Sequence, residues 1–286
     1  MLTISASAES NNVPIPPRAD LEAAFHVLKK GGVPNIPTVV SALNRELAAA
    51  EPDLARAARL VSEDPAMAGA ILGLVNSAAF GLRVPVESVS HAISLLGLAR
   101  VANLVTAESL GRSMVDRHPG VAQIWESSVE EAKAAVAIVG LIGGLAPDEA
   151  YLFAMMHDVG YLVLAAQHPD VAKTWNLQQA APVTVVARER REYGADHVTL
   201  GYLLAKHWKL SNRFALAIYH HHVASCAGFD DARLRTLIAV VKLANYLSTR
   251  HLRATELPEM LHYRLAAKRE LMIGDEDWDR LQGEVL

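Results

Sequence analysis

From Asp20 onward, apolar side chains return every three or four positions, in segments dominated by Ala, Leu, Glu, Arg and Val. That spacing is the period of an α-helix, and the alternation of a half-buried strand is hard to find. The pattern confines the chain to helix-on-helix packing, so the expected fold class is all-α. With 286 residues the chain has room for two units of ordinary size, taking roughly 150 residues per domain.

Proline, glycine and capping residues divide the periodic stretches. Asp20 is placed to cap Leu21 to Lys30, a helix whose last two lysines suit the negative end of its dipole and whose stop is Gly31-Gly32. Pro37 opens a helix over Thr38 to Ala50, and Pro52-Asp53 sets up the next. Asp64-Pro65 opens a run to Ser77 that is apolar around nearly its whole circumference, which predicts a helix buried on most sides at the centre of the first unit. Gly69 and Gly73, four apart, would let a neighbouring helix approach closely there.

Past Asp116 to Pro119, Trp125, Val129, Ala132, Val136 and Val139 make a helical stripe that stops at Gly143-Gly144. Asp148 is expected to cap Glu149 to Asp158, with Gly160 ending that helix and His157 and Asp158 in its final turn. His197 to Trp208, Ser211 to His222 and Ala232 to Arg250 read as three more helices. The expected organisation is a disordered tail over 1–18, helical units over 19–115 and 116–250, and a C-terminal helical appendage over 251–286.

The charge balance narrows the partners. A net charge of −4 and a pI near 6.3 give no electrostatic footprint for nucleic acid, so a protein partner or small ligand is expected. The single cysteine, Cys226, excludes an intramolecular disulfide and any CxxC metal or redox site. The N-terminal segment lacks the basic head and apolar core of a signal peptide, and no apolar stretch reaches the roughly 18 residues of a membrane span, so the expected location is cytoplasmic.

Twelve histidines are the one feature that suggests chemistry. His26, His91, His118, His168, His251 and His262 lack a partner at ligand spacing and read as structural. His157-Asp158, His197 and the run His220-His221-His222 are different. Neighbours on a helix point about 100° apart, so His157 and Asp158 would share an ion only off the helix end, with other helices supplying the remaining ligands. Imidazole and carboxylate suit Fe, Mn, Zn or Ni without selecting among them.

These residues resemble the HD superfamily of metal-dependent phosphohydrolases, and the first half points to one branch, the HDOD domain. Pro34-Asn35-Ile36-Pro37, then Asp64-Pro65 with Asn76-Ser77-Ala78-Ala79-Phe80-Gly81, then Val89 to Gly97 resemble the blocks of that family in its order. The likeness runs from about Val33 to Arg250. It implies two packed helical units, the second an HD-like bundle, in a bacterial signalling module.

The resemblance also implies a site. Catalytic HD proteins use a first histidine, the His-Asp pair and a distal aspartate, with further histidines where two metals are held. Here Ser127 and Asn245 stand where the first histidine and distal aspartate are expected, while His157, Asp158, His197 and His221 match. Tyr161 stands where catalytic relatives often carry a cation. The implied function is a non-catalytic output module acting through a signalling partner or a bound ligand, with a divalent transition metal as the one candidate cofactor. A phosphohydrolase acting on a nucleotide or cyclic dinucleotide through the four remaining ligands is the alternative.

Overall fold

The structure is a computed structural model that describes residues 13–31, 35–77, 80–175, 181–250 and 258–285. Among the described residues there is no strand. The first helices are α1 (Arg18–Gly31), α2 (Thr38–Ala48), α3 (Leu54–Ser62), α4 (Pro65–Val75), α5 (Val89–Leu96) and α6 (Leu98–Arg117). After α7 (Ala122–Ile142) come α8 (Pro147–Met156), α9 (Val159–Gln167), α10 (Pro169–Lys173) and α11 (Val185–Tyr193). The chain closes with α12 (His197–His207), α13 (Asn212–His220), α14 (Ala232–Arg250), α15 (Pro258–Glu270) and α16 (Asp275–Val285).

The capping signals act as the sequence implies at Asp53 and Asp64, whereas Asp20 and Asp148 do not cap: α1 and α8 begin earlier, at Arg18 and Pro147, and both carboxylates lie in the first turn. Asp53 Oδ1 accepts the Arg56 amide at 2.8 Å, and Asp64 Oδ1 accepts those of Ala66 and Met67 at 2.9 and 3.0 Å, with Pro65 in the first turn. Each such cap stabilises its helix by about 1 kcal/mol. Gly81 and Gly97 adopt positive φ, at 61° and 90°. Asn76 does not serve its own helix end as a carbonyl donor. Its amide instead clamps Val86, donating to the carbonyl at 2.8 Å and accepting from the amide at 2.7 Å, so the end of α4 is tied to Val86.

The centre of the first half belongs to α6, not α4. Helices α2, α4 and α5 all pack on α6, which buries residues along most of its length. On α4 only Met67, Ile71 and Val75 are buried. Gly69 and Gly73 face outward, and a Cβ at either would meet nothing within 4 Å, so they admit no neighbouring helix. An all-round apolar helix was expected to be enclosed. Its small Ala and Gly residues expose so little apolar surface that one face can remain in water.

Close helix approach occurs elsewhere. A Cβ on Gly111 of α6 would sit 1.7 Å from the Trp125 ring of α7. Helix α7 then packs on α8 and α14, and α12 on α9 and α13.

The ends of the chain take part in this packing. The expected tail falls partly on residues 1–12, which lie outside the described residues. From Val13 the chain is packed: Val13 is buried and the Pro14 carbonyl accepts from His220 Nε2 at 2.6 Å. Helix α1, grouped by sequence with the first unit, lies against α12 and α9. At the other end α15 packs on α14 and α16 on α7, so residues 258–285 form part of the same core.

Candidate metal centre

The His-Asp pair sits at a junction between helices. Helix α8 ends at Met156, His157 follows as its C-cap, and Asp158 is the residue before α9. Gly160 therefore does not stop a helix; it lies in the first turn of α9. A Cβ there would fall 2.0 Å from the His197 carbonyl oxygen, so the missing side chain lets α9 cross the start of α12. An aspartate before a helix ordinarily caps it. Asp158 makes no side-chain cap bond, because its carboxylate is turned inward to the histidines.

Asp158, His197, His221 and His222 each present one ligand atom to a common centre, all within 4.8 Å of one another. Asp158, His197 and His221 are at most 3% exposed, and His222 is half-buried. Three of these four were expected; His222 joins them. Its neighbour His220 leaves the group and bonds to Pro14. Sequence left the register of the histidine run open because the run continues past the end of α13 at His220.

The outer nitrogen of each imidazole is already committed. His221 Nδ1 donates to the Ile218 carbonyl at 2.7 Å, and His197 Nδ1 donates to Glu189 Oε2 at 2.7 Å. His222 Nδ1 lies 2.5 Å from the Tyr263 hydroxyl, which donates its own proton to the His221 carbonyl and so accepts from His222. Every Nε2 is thereby aimed inward. His197 Nε2 lies 2.9 Å from His222 Nε2 and 3.4 Å from His221 Nε2, while His221 Nε2 lies 3.2 Å from Asp158 Oδ1.

That arrangement fits a cation. One proton on His197 Nε2 serves His222, but His221 Nε2 and Asp158 Oδ1 then meet lone pair to lone pair. Burial holds the His221 pKa down at about 4 despite the adjacent Asp158, so a second proton is not available at neutral pH. Burial also lowers His222 well below its ordinary value, with His221 and His197 beside it. Three imidazole nitrogens and a carboxylate, each oriented by an outer hydrogen bond, suit a divalent transition metal.

His157 faces the other way. Its Nδ1 donates to the Ala154 carbonyl at 2.7 Å, and its Nε2 lies 3.1 Å from Asp158 Oδ2 and 3.3 Å from Glu131 Oε2. Burial opposes charge on this ring, but Asp158 and then Glu131 outweigh it and lift the pKa to about 9. The same contact outweighs the effect of burial on Asp158 and holds its carboxyl well below the usual range. His157 is thus an imidazolium between two carboxylates, edge-on to the His221 ring at 4.9 Å between centroids, with its Nε2 on Asp158 Oδ2 and not on Oδ1.

The two replaced positions have different fates. The Ser127 hydroxyl bonds back to the Gln123 carbonyl at 3.1 Å and takes no part in the site. Asn245 is buried and donates to Glu131 Oε1 at 3.2 Å, so its amide holds the carboxylate that faces His157. Tyr161 stacks on His197, with centroids 4.0 Å apart and planes 12° from parallel.

Three contributors were not singled out from sequence, Glu131, Glu189 and Tyr263, while His222 stood in the histidine run whose register was open. For Glu131 a signal existed, since it lies on the buried face of α7 formed by Ile124, Ser128, Ala135 and Ile138. A carboxylate on an apolar stripe needs a buried partner. Tyr263 could not be found this way, because it lies some forty residues beyond the histidine run on a separate helix.

An all-helical protein with a buried cluster of aspartate and histidine that could hold a metal is the class that fold and site define. The chain belongs to the HDOD domain family, whose model matches residues 33–224. An uncharacterized protein of Treponema pallidum (strain Nichols) is 24% identical over 245 residues, covering 85% of this chain and 47% of that protein. The chain thus spans about half the length of the curated relative it matches.

Solved structures share the fold. A Shewanella amazonensis SB2B protein, provisionally named a metal-dependent phosphohydrolase, superposes with a TM-score of 0.67 at 18% identity. The match covers 94% of this chain and all of that one. A Marinobacter aquaeolei VT8 protein, provisionally named a signal transduction protein, gives 0.60 at 20% identity, covering 96% of this chain and 59% of that one. Among the described residues no helix is long and apolar enough to cross a membrane.

Proposed function

We propose that this chain is a non-catalytic signal-transduction output module, acting through contacts with a signalling protein or a bound ligand. Asp158, His197, His221 and His222 would hold a divalent transition metal that serves as a structural cross-link. The observation that carries this reading is burial: Asp158, His197 and His221 are almost without exposed surface and His222 is half-buried, which leaves little room for a substrate. A structural metal site is closed by protein ligands, whereas a hydrolytic one keeps a position open for water and substrate.

The surroundings support the same reading. Tyr161 covers one face of His197 and Tyr263 backs His222 from its outer nitrogen, so both rings are fixed in place as a structural centre requires. The metal, when bound, would supply positive charge for the inward lone pairs and join the α8–α9 junction to the facing ends of α12 and α13. The decisive test pairs elemental analysis of protein purified without chelators with hydrolysis assays on nucleotides and cyclic dinucleotides. One transition metal per chain without turnover is expected; metal-dependent turnover lost in His157→Ala and Asp158→Ala would overturn the reading.

A second reading, a phosphohydrolase acting on a nucleotide or cyclic dinucleotide, is favoured by the donor set and by the provisional name of the Shewanella protein. It requires a coordination position at the cluster that opens to water and substrate. Ester hydrolysis in the assay above separates the two.

A further inference from the structure

His221 and His222 are neighbours in sequence, yet both send a nitrogen into the metal cluster. The backbone makes this possible by turning. The Val223 amide donates to the His220 carbonyl at 2.9 Å, so the two histidines are the middle residues of a turn closed at the end of α13. Tyr263 of α15 braces that turn, since its hydroxyl accepts from His222 Nδ1 and donates to the His221 carbonyl.

Lys242 of α14 touches both parts of this assembly. Its Nζ donates to the Val223 carbonyl and lies 5.0 Å from the centroid of the Tyr263 ring. The residue is only 2% exposed, and among the described residues no carboxylate forms an ion pair with it. Burying an ammonium without an opposite charge is costly, and burial pulls the Lys242 pKa down to about 8, which still leaves it charged at neutral pH. The Val223 carbonyl and the electron-rich face of Tyr263 are the two groups that offset this cost.

We propose that Lys242 is a positioning residue for the His221-His222 pair, pinning the carbonyl that follows the pair and the ring that orients it. With Val223 and Tyr263 both held, the two Nε2 atoms meet at one centre. Arg235, also on α14, supplies the contrast: it ties the same connection further on, at the Phe229 carbonyl, and pairs with Glu270. The proposal concerns ring orientation and rests on the metal reading only for its effect on metal affinity.

The test compares Lys242→Met, which keeps the apolar stem and removes the ammonium, with Arg235→Met in the full chain. In metal-free protein labelled with ¹⁵N-histidine, nitrogen shifts are expected to show His222 protonated at Nδ1 in wild type and in Arg235→Met, and a mixture of tautomers in Lys242→Met. In zinc competition with a coloured chelator, Lys242→Met is expected to weaken binding about 10–100-fold and Arg235→Met to leave it unchanged. If Lys242→Met does not melt cooperatively, Lys242→Gln, which also lacks the charge, takes its place in both measurements. A His222 tautomer already mixed in wild type, or unchanged in the Lys242 variant, would overturn the proposal. Zinc affinity equal to wild type, or an equal loss in Arg235→Met, would do so as well. Failure of wild type to bind zinc would instead reject the metal reading, and the nitrogen shifts alone then decide the role of Lys242.

Discussion

The two oxygens of Asp158 face two environments of opposite character. Oδ1 looks toward His197, His221 and His222, whose inner nitrogens converge with too few protons to satisfy one another. Oδ2 looks toward His157, whose proton is already shared with Glu131 in a buried ion pair. Identical residue types therefore do different work. What separates them is what meets Nε2: two carboxylates, Asp158 and Glu131, hold a proton on His157 Nε2, whereas the Nε2 atoms of His197, His221 and His222 face one another across the single oxygen Oδ1.

Asp158→Asn attacks both sides at once and carries the largest expected effect. It removes a metal donor and leaves His157 short of a counter-charge, so loss of stoichiometric metal and about 3–5 kcal/mol of stability are expected by elemental analysis and urea unfolding. Retention of metal would show that the centre does not depend on Oδ1.

The contrast should also appear against pH in chelator-treated protein. His157 has a folded pKa raised to about 9 from an ordinary 6.5. Its contribution, on the order of 3 kcal/mol, is full below pH 6.5 and lost as pH rises through 9. His221 is lowered to about 4, so its effect runs the other way, with stability lost as pH falls from 6.5 toward 4. Unfolding midpoints across pH 4–10 should trace a maximum near 6.5, and a flat profile would contradict the assignment of opposite charge states.

Glu131→Gln separates the sides. The Oδ1 cluster is untouched, so metal content should remain, while a loss of about 1–3 kcal/mol reports the weakened His157 pair. Loss of metal in this variant would mean the two sides form one site. Tyr263→Phe, the smallest change, should leave the fold intact and weaken metal binding by about 10–100-fold, because His222 loses the partner that orients its ring. Competition with a coloured chelator measures that shift.

Much of this was legible in the sequence for local reasons. Asp53, Asp64-Pro65, Gly81 and Gly97 announce their caps and turns because such preferences act over a few residues. His197 and His221 were found through the family motif they match, and each does stand at an end of its helix. Glu131 was within reach as a carboxylate on an apolar stripe. The failure at α4 had a different origin, since periodicity records which faces are apolar and not whether another helix arrives to cover them.

Sequence by itself determined an all-helical chain, the punctuation of its helices, and the residue types able to hold a metal. Tertiary structure decided which of those residues meet: that His222 joins the cluster, that His157 turns to Glu131, and that Tyr263 reaches back to orient a ring. Hydrogen-bond direction at an imidazole depends on which acceptor lies within about 3 Å of each nitrogen. Ala154 and Ile218 are local acceptors for His157 and His221, but Glu131 and Tyr263 come from helices far apart in the chain, and only packing brings them there.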